Sequence, residues 1–258
     1  MKTDYVNVTE LSGDEGSLEQ LERMCHRYYW AGTYCEGNDV LEAACGVGPG
    51  AGYLAGLAKS YRAGDFSEEI LEIARRHYGE RIGFRQFDAQ QMPFPDGSLD
   101  VVLLFEAIYY IPSAERFVQE CRRVLREGGK VLIATANKDL FDFSASPHSY
   151  AYYGVRELGE LFGGSGFETE FFGCTPVDEL NWRQRALRPI KKVVVNLGLM
   201  PSSKIAKTLL KRLVFGKMVV LPAEITAGML PYQEPVSLPM GEPDHRHKVV
   251  YCVATRAA

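Results

Sequence analysis

The chain has 258 residues, 46% of them apolar and 24% charged, with a formal net charge of −4. That balance fits one large α/β domain, or a domain carrying a sizeable insertion, in a soluble globular protein. It excludes a membrane-spanning chain, because Glu106 stops the apolar run Val101–Phe105 and Glu224 stops Met218–Ala223 well short of a span.

Met1–Gly16 is polar and acidic, without the apolar core of a secretory signal, so a cytoplasmic protein is expected. The six cysteines are scattered without a CxxC pair, which suits free thiols better than a disulfide framework. The charge is unevenly placed. Ten Lys or Arg and no acidic residue lie between Asn181 and Lys217, leaving 19 basic against 33 acidic residues elsewhere.

In chain order, Val40–Cys45 reads as a buried strand and Ala51–Lys59 as a helix entered through glycines. Tyr61–Asp65 is a second strand. Ser67 caps a helix through His77, with Glu68 and Glu69 in its first turn and Arg75 and Arg76 in its last. Ile82–Phe87 alternates like a third strand and Asp100–Phe105 is a fourth. Ala114–Arg126 has helical period, Gly128-Gly129 is expected to end it, and Val131–Thr135 is a fifth strand. Val155–Phe162 is helical, Phe167–Phe172 is strand-like, and Lys248–Thr255 is the last strand. Such alternation implies a parallel sheet wrapped by helices, with ligands at the carboxyl ends of its strands. Residues 178–244 interrupt the pattern. They are expected to form an inserted lid or substrate cap on a domain made of residues 1–177 and 245–258.

Val40–Gly48 runs a strand into glycines ahead of a helix, where a missing Cβ lets a ligand approach the main chain. Gly46, Gly48 and Ala51 satisfy the G-x-G-x-x-G/A fingerprint, so NAD competes with S-adenosylmethionine (SAM) at this point. Glu42 separates the two. Four residues before Gly46, its carboxylate would repel a pyrophosphate but favour the cationic amino group of a methionine moiety. Asp65, 19 residues beyond Gly46, is placed to accept hydrogen bonds from ribose hydroxyls, which NAD and SAM share. Phe66 beside it offers a face for adenine. The plainer role for Asp65, capping the next helix, is one Ser67 already fills.

Phe87-Asp88-Ala89-Gln90-Gln91-Met92-Pro93-Phe94-Pro95-Asp96-Gly97-Ser98-Leu99-Asp100-Val101-Val102 follows the third strand. Together with Glu42-x-Ala44-x-Gly46-x-Gly48 and Ala63–Ser67 it resembles the class I SAM-dependent methyltransferases of the ubiquinone/menaquinone-methylase-like group. The resemblance covers residues 38–137 and continues more weakly through Tyr153–Phe167. It implies a Rossmann-like, doubly wound, mostly parallel seven-stranded sheet with an antiparallel last strand. It also implies that Asp88 bonds the adenine amino group beside the main chain of Ala89. Phe105 and Glu106 would approach the methionine portion, and Met24–Trp30 would fold over the cofactor with Tyr28 and Tyr29 closing it. Ala44 stands where the family usually has glycine, which narrows the turn.

Methyl transfer is an in-line displacement, so the enzyme mainly positions its reactants and excludes water. The leading acceptor is a hydroxyl, as on a sugar or glycan precursor; a quinone-like ring carbon is the alternative. An NAD-dependent oxidoreductase or a non-catalytic SAM-binding protein are readings of other classes. His148, after the fifth strand, is the candidate base for a hydroxyl, and Tyr28, Tyr29, Tyr109 and Tyr110 are the candidate substrate contacts, Tyr109 and Tyr110 foremost. His77 reads as a helix-end cation. His245 and His247 lack a completing cluster, so no metal is expected. Lys204–Val214 is amphipathic. Its basic face belongs either to a solvated lid or to a surface that docks an anionic, lipid-linked substrate or a membrane face. Nucleic acid is disfavoured by the acidic body.

Overall fold

The computed structural model of the chain describes residues 9–146, 148–177 and 218–257. The basic stretch 181–217, with its amphipathic Lys204–Val214 segment, lies outside the described residues, as does most of the expected cap.

β1 (Glu15–Ser17) leads into α1 (Leu18–Cys35), whose N-cap Ser17 accepts from the Gln20 amide. Then come β2 (Asp39–Ala43), α2 (Ala51–Leu57), β3 (Ser60–Asp65), α3 (Glu68–Tyr78) and β4 (Phe84–Gln86). β5 (Leu99–Phe105), a 3-10 turn at Ile108–Tyr110, α4 (Ala114–Val124), β6 (Leu125–Ala136), α5 (Val155–Gly163) and β7 (Phe167–Pro176) follow. β8 (Met218–Val220), β9 (Val236–Leu238) and β10 (His247–Arg256) complete the described chain.

The main sheet has the order β4-β3-β2-β5-β6-β10-β7-β9. β4 through β6 are parallel neighbours, and β10 runs antiparallel to both β6 and β7. The seven expected strands are present with the last one antiparallel. An eighth, β9, adds to the outer edge of β7, a three-residue, largely exposed strand the sequence pattern did not reveal. β1 and β8 form a separate two-stranded ribbon.

Alternation assigns the two faces. Leu41, Val102, Leu104, Ile133 and Val250 pack with α4 and α5, whereas Val40, Val101, Leu103, Leu132 and Val253 pack with α1. Trp30 of α1 stacks on Tyr251 with centroids 4.5 Å apart, anchoring the helix to β10. Both sets are apolar because both faces of this sheet are covered.

One boundary differs from the periodicity. Helical spacing continues to Arg126, yet α4 stops at Val124 and β6 begins at Leu125. Fully buried Leu125 pairs with Leu99, and the register shift between Leu99 and Val101 accommodates the diglycine, with Gly128 at φ +73°. Tertiary burial of one leucine overrides the local helical pattern.

Candidate functional site

The sheet order reverses between β2 and β5, so their carboxyl ends open a crevice where α/β folds take ligands. A cavity of about 670 Å³ occupies it, within the range of roughly 300–1,000 Å³ usual for small-molecule sites.

β2 ends in a turn that takes three left-handed residues, Ala44 (φ +53°), Gly46 (φ +59°) and Gly48 (φ +72°). The two glycines adopt this without a steric cost; Ala44 does so with a Cβ present. The turn is held from outside, because the Tyr78 hydroxyl donates to the Gly48 carbonyl at 2.7 Å. Ala44 and Gly46 line the cavity; Gly48 shapes the turn from behind, where an added Cβ would lie 3.1 Å from the Phe84 ring.

Behind the turn, Glu42 is 1% exposed and lines the inner end of the cavity. Its Oε1 accepts from Tyr28 Oη at 2.7 Å and its Oε2 from Tyr61 Oη. Burial pushes the Glu42 carboxyl up, against the lowering effect of the two hydroxyl donors. Tyr28 reaches this position because Gly50 has no side chain: a Cβ there would come within 2.1 Å of the tyrosine ring.

At the end of β3, Asp65 Oδ2 accepts from the Gly46 amide at 3.0 Å and Oδ1 from the Ser67 amide at 2.9 Å. Each oxygen retains acceptor capacity toward the cavity. Burial raises this carboxyl too. Phe66 lines the cavity while remaining 58% exposed. Beyond β4, Asp88 and Ala89 line the same wall, with Asp88 Oδ1 accepting from the Gln90 amide at 2.8 Å.

The opposite half is built from β5 and the loops after β5 and β6. Phe105 ends β5 and Glu106 follows it at φ +49°, a conformation that costs a non-glycine residue energy. Its buried carboxyl is raised by desolvation and accepts from Tyr109 Oη at 3.0 Å. Tyr109 stacks on Tyr152 at 4.4 Å, and Tyr110 Oη meets Ser146 Oγ at 2.5 Å. Tyr150, with its amide bonded to the Tyr109 carbonyl, completes an aromatic wall.

Two expected residues lie elsewhere. His148 is exposed at φ +67° and does not line the cavity; its loop turns Ser146, Tyr150 and Tyr152 inward instead. Tyr29 faces away from the cavity. One position along the helix from Tyr28, it points at the returning chain and donates to the Thr226 carbonyl at 2.8 Å. The isolated histidines are occupied as well. His77 meets Glu224, His245 meets the Asp139 carbonyl and His247 meets Asp244. Among the described residues no group of three metal-ligating side chains forms.

The sequence reading missed a charged cluster. Arg23 and Arg27, one helical turn apart on α1, both line the cavity, and Arg27 is 7% exposed. Arg27 Nη2 pairs with Glu10 Oε2 at 2.7 Å, yet the buried Nε atoms of both arginines have no partner among the described residues. The signal was present as two arginines at i, i+4 inside an otherwise buried helical face.

Residues 41–133 match the family model described as "Methyltransferase domain". The chain is 37% identical over 153 residues to a probable S-adenosylmethionine-dependent methyltransferase of Mycolicibacterium smegmatis, covering 58% of this chain and 56% of that protein. It is 39% identical over 104 residues to a fatty-acid O-methyltransferase of the same organism, covering 39% and 38%. The chain thus spans about half the length of the curated relatives it matches. A SAM-dependent methyltransferase structure from Thermotoga maritima superposes with a TM-score of 0.58 at 15% identity, over 92% of both chains. The fold is thus the α/β Rossmann-like methyltransferase fold, and residues 41–133 match the methyltransferase domain model within it.

Proposed function

We propose that this protein is a SAM-dependent methyltransferase that methylates an oxygen of a small-molecule acceptor with an apolar or aromatic body. The observation that carries the reading is one cavity joining the Gly46 turn, Asp65, Asp88–Ala89 and Glu106 at the strand ends. In this reading Asp65 holds the ribose, Phe66 and Ala89 flank the adenine, and Asp88 bonds its amino group. Glu42, Ala44, Gly46 and Phe105 surround the methionine portion, with Gly48 fixing the turn. Arg27, whose buried guanidinium is incompletely partnered, fits the methionine carboxylate. SAM supplies an electrophilic methyl group at that end of the cavity.

The acceptor then lies against Tyr109, Tyr110 and Tyr152. That wall of ring faces and hydroxyls suits a lipid-like or ring-bearing molecule better than a bare glycan precursor. The similarity to a fatty-acid O-methyltransferase supports the same acceptor class and an oxygen rather than a ring carbon. We read residues 178–244 as its cover. The described part returns along the glycine turn, with the Ile225 amide donating to the Pro49 carbonyl at 2.7 Å.

Calorimetry tests the cofactor: SAM and S-adenosylhomocysteine (SAH) are expected to bind, and Asp65→Ala to weaken both at least tenfold. Binding of NAD without SAH overturns the reading in favour of an oxidoreductase. No transfer of a labelled methyl group to any lipid alcohol, acid or phenol, with SAH still bound, favours a SAM-binding protein without turnover.

A further inference from the structure

The aromatic wall and the cofactor half of the cavity meet at one carboxylate. We propose that Glu106 is the general base of this site, accepting the proton of an acceptor hydroxyl through Oε1 while Tyr109 holds Oε2. The inference rests on the methyltransferase reading above and gives the acceptor a defined chemistry: a neutral alcohol or phenol, delivered with its proton.

Geometry singles out this residue. Glu106 is at the carboxyl end of the strand beside the topological switch, its main chain fixed by the bond from its amide to the Ala134 carbonyl at 2.7 Å. The φ of +49° turns the residue out of the β5 direction, and such a conformation in a non-glycine residue is kept only where the surroundings enforce it. Tyr109 Oη satisfies one carboxylate oxygen at 3.0 Å. Among the described residues no hydrogen bond reaches the other, Oε1. Tyr109 is itself clamped by its 4.4 Å stack on Tyr152 and by the bond from the Tyr150 amide to its carbonyl. The carboxylate is therefore oriented with one oxygen committed and one open.

The charged and titratable groups around it come from every neighbouring element. Arg23 and Arg27 of α1 favour the ionised form, Glu10 of the N-terminal segment opposes it, and Tyr109 donates to it. Tyr152 of the loop after β6 and Tyr251 of β10 feel the same charge. Desolvation is the largest influence and raises the carboxyl above its ordinary range. That shift moves a glutamate toward the pKa at which a base both stays ionised near neutrality and accepts a proton effectively. His148, the other candidate, is exposed and outside the cavity.

In the step itself the acceptor oxygen forms its bond to the methyl carbon as its O–H proton passes to Glu106 Oε1. The sulfur–methyl bond breaks and its electron pair stays on sulfur, leaving a neutral thioether. The carboxylic acid then returns the proton to solvent. No other reactant is required.

The test uses the full chain saturated with SAH, so a failure of cofactor binding is seen separately by calorimetry. Infrared difference spectra between wild type and Glu106→Gln, with 13C-labelled glutamate, should show one carboxyl titrating above the ordinary glutamate value of about 4.3. A carboxyl already ionised at or below that value overturns the proposal. Single turnovers of the protein loaded with SAM in place of SAH, with 1-dodecanol and 1-dodecanethiol at pH 9, supply the second arm. Glu106→Gln should slow methylation of the alcohol at least 100-fold, the lower end of general-base contributions. Methylation of the more acidic thiol should fall far less than that of the alcohol, both rates being read at saturating SAM. Equal loss for both acceptors, loss for neither, or wild-type turnover of the thiol alone overturns it.

Discussion

Tyr28 Oη donates to Glu42 Oε1 at 2.7 Å, and this contact fixes the N-terminal helix to the strand behind the glycine turn. Both groups are buried, so the bond is unscreened and its loss leaves a carboxylate with one hydroxyl donor instead of two. Tyr28→Phe should therefore cost about 1–3 kcal/mol in chemical denaturation. Gly50→Ala should act on the same contact by steric means, since its Cβ would occupy the ring position. A combined variant no less stable than the worse single one would show that the two substitutions break one contact.

Ala44 gives a prediction of opposite sign. Holding an L-residue at φ +53° costs roughly 1–2 kcal/mol, which glycine avoids, while glycine gains unfolded-chain entropy. Ala44→Gly should stabilise the protein by about 1 kcal/mol, read as a higher denaturation midpoint with unchanged slope. It should also widen the turn lining the cavity and leave SAH binding at least as tight. A loss of stability would mean that the alanine methyl contributes packing worth more than the strain.

Much of the cofactor half was legible because it depends on short-range chemistry. Glycines at 46 and 48, an acid at the end of β3 and the Asp88–Ala89 segment each sit directly after a strand, so alternation alone places them at one edge. The part of the lining contributed by the N-terminal segment and α1 was not legible in the same way. Glu10, Arg23 and Arg27 reach the cavity only through the packing of α1 across the sheet, 15 or more residues before Glu42. Tyr28 and Tyr29 are adjacent in sequence, and the helical rotation of about 100° per residue sends one to Glu42 and the other to Thr226. Nor does position after β6 decide His148, whose left-handed backbone directs it outward while Ser146 and Tyr152 point in.

The buried carboxylates make stability depend on pH. Glu42 is raised above its ordinary value by burial, so the folded state binds its proton more tightly than the unfolded chain. Its contribution is complete below the unfolded value and is lost as pH rises through the raised folded one. Asp65 and Glu106 shift in the same direction. The SAH-free protein should lose stability as pH rises from the ordinary carboxylate range through the raised folded values. Glu42→Gln should flatten that fall, because an amide keeps a partner for each tyrosine without a charge. Unfolding free energies across this range decide it; an unchanged slope would place the titration elsewhere. The same variant should weaken SAH binding by losing the carboxylate that faces the amino group.

Arg27 supplies the last prediction. Its Nη2 is held by Glu10 while its buried Nε has no partner among the described residues, so the guanidinium is set up for a carboxylate and shares one now with a residue of its own chain. A ligand carboxylate reaching Arg27 competes with Glu10. Removing the guanidinium in Arg27→Gln should cost a charge-assisted hydrogen bond, about 1.5–3 kcal/mol, or roughly 10- to 150-fold in SAH affinity. Binding of 5′-methylthioadenosine, which keeps the nucleoside and sulfur but lacks the amino-acid carboxylate, should change little. Glu10→Gln should tighten SAH binding, because the internal competitor is neutralised. Equal weakening of both ligands by Arg27→Gln would instead make the arginine a structural support of α1, and the Glu10 variant would then leave SAH binding unchanged.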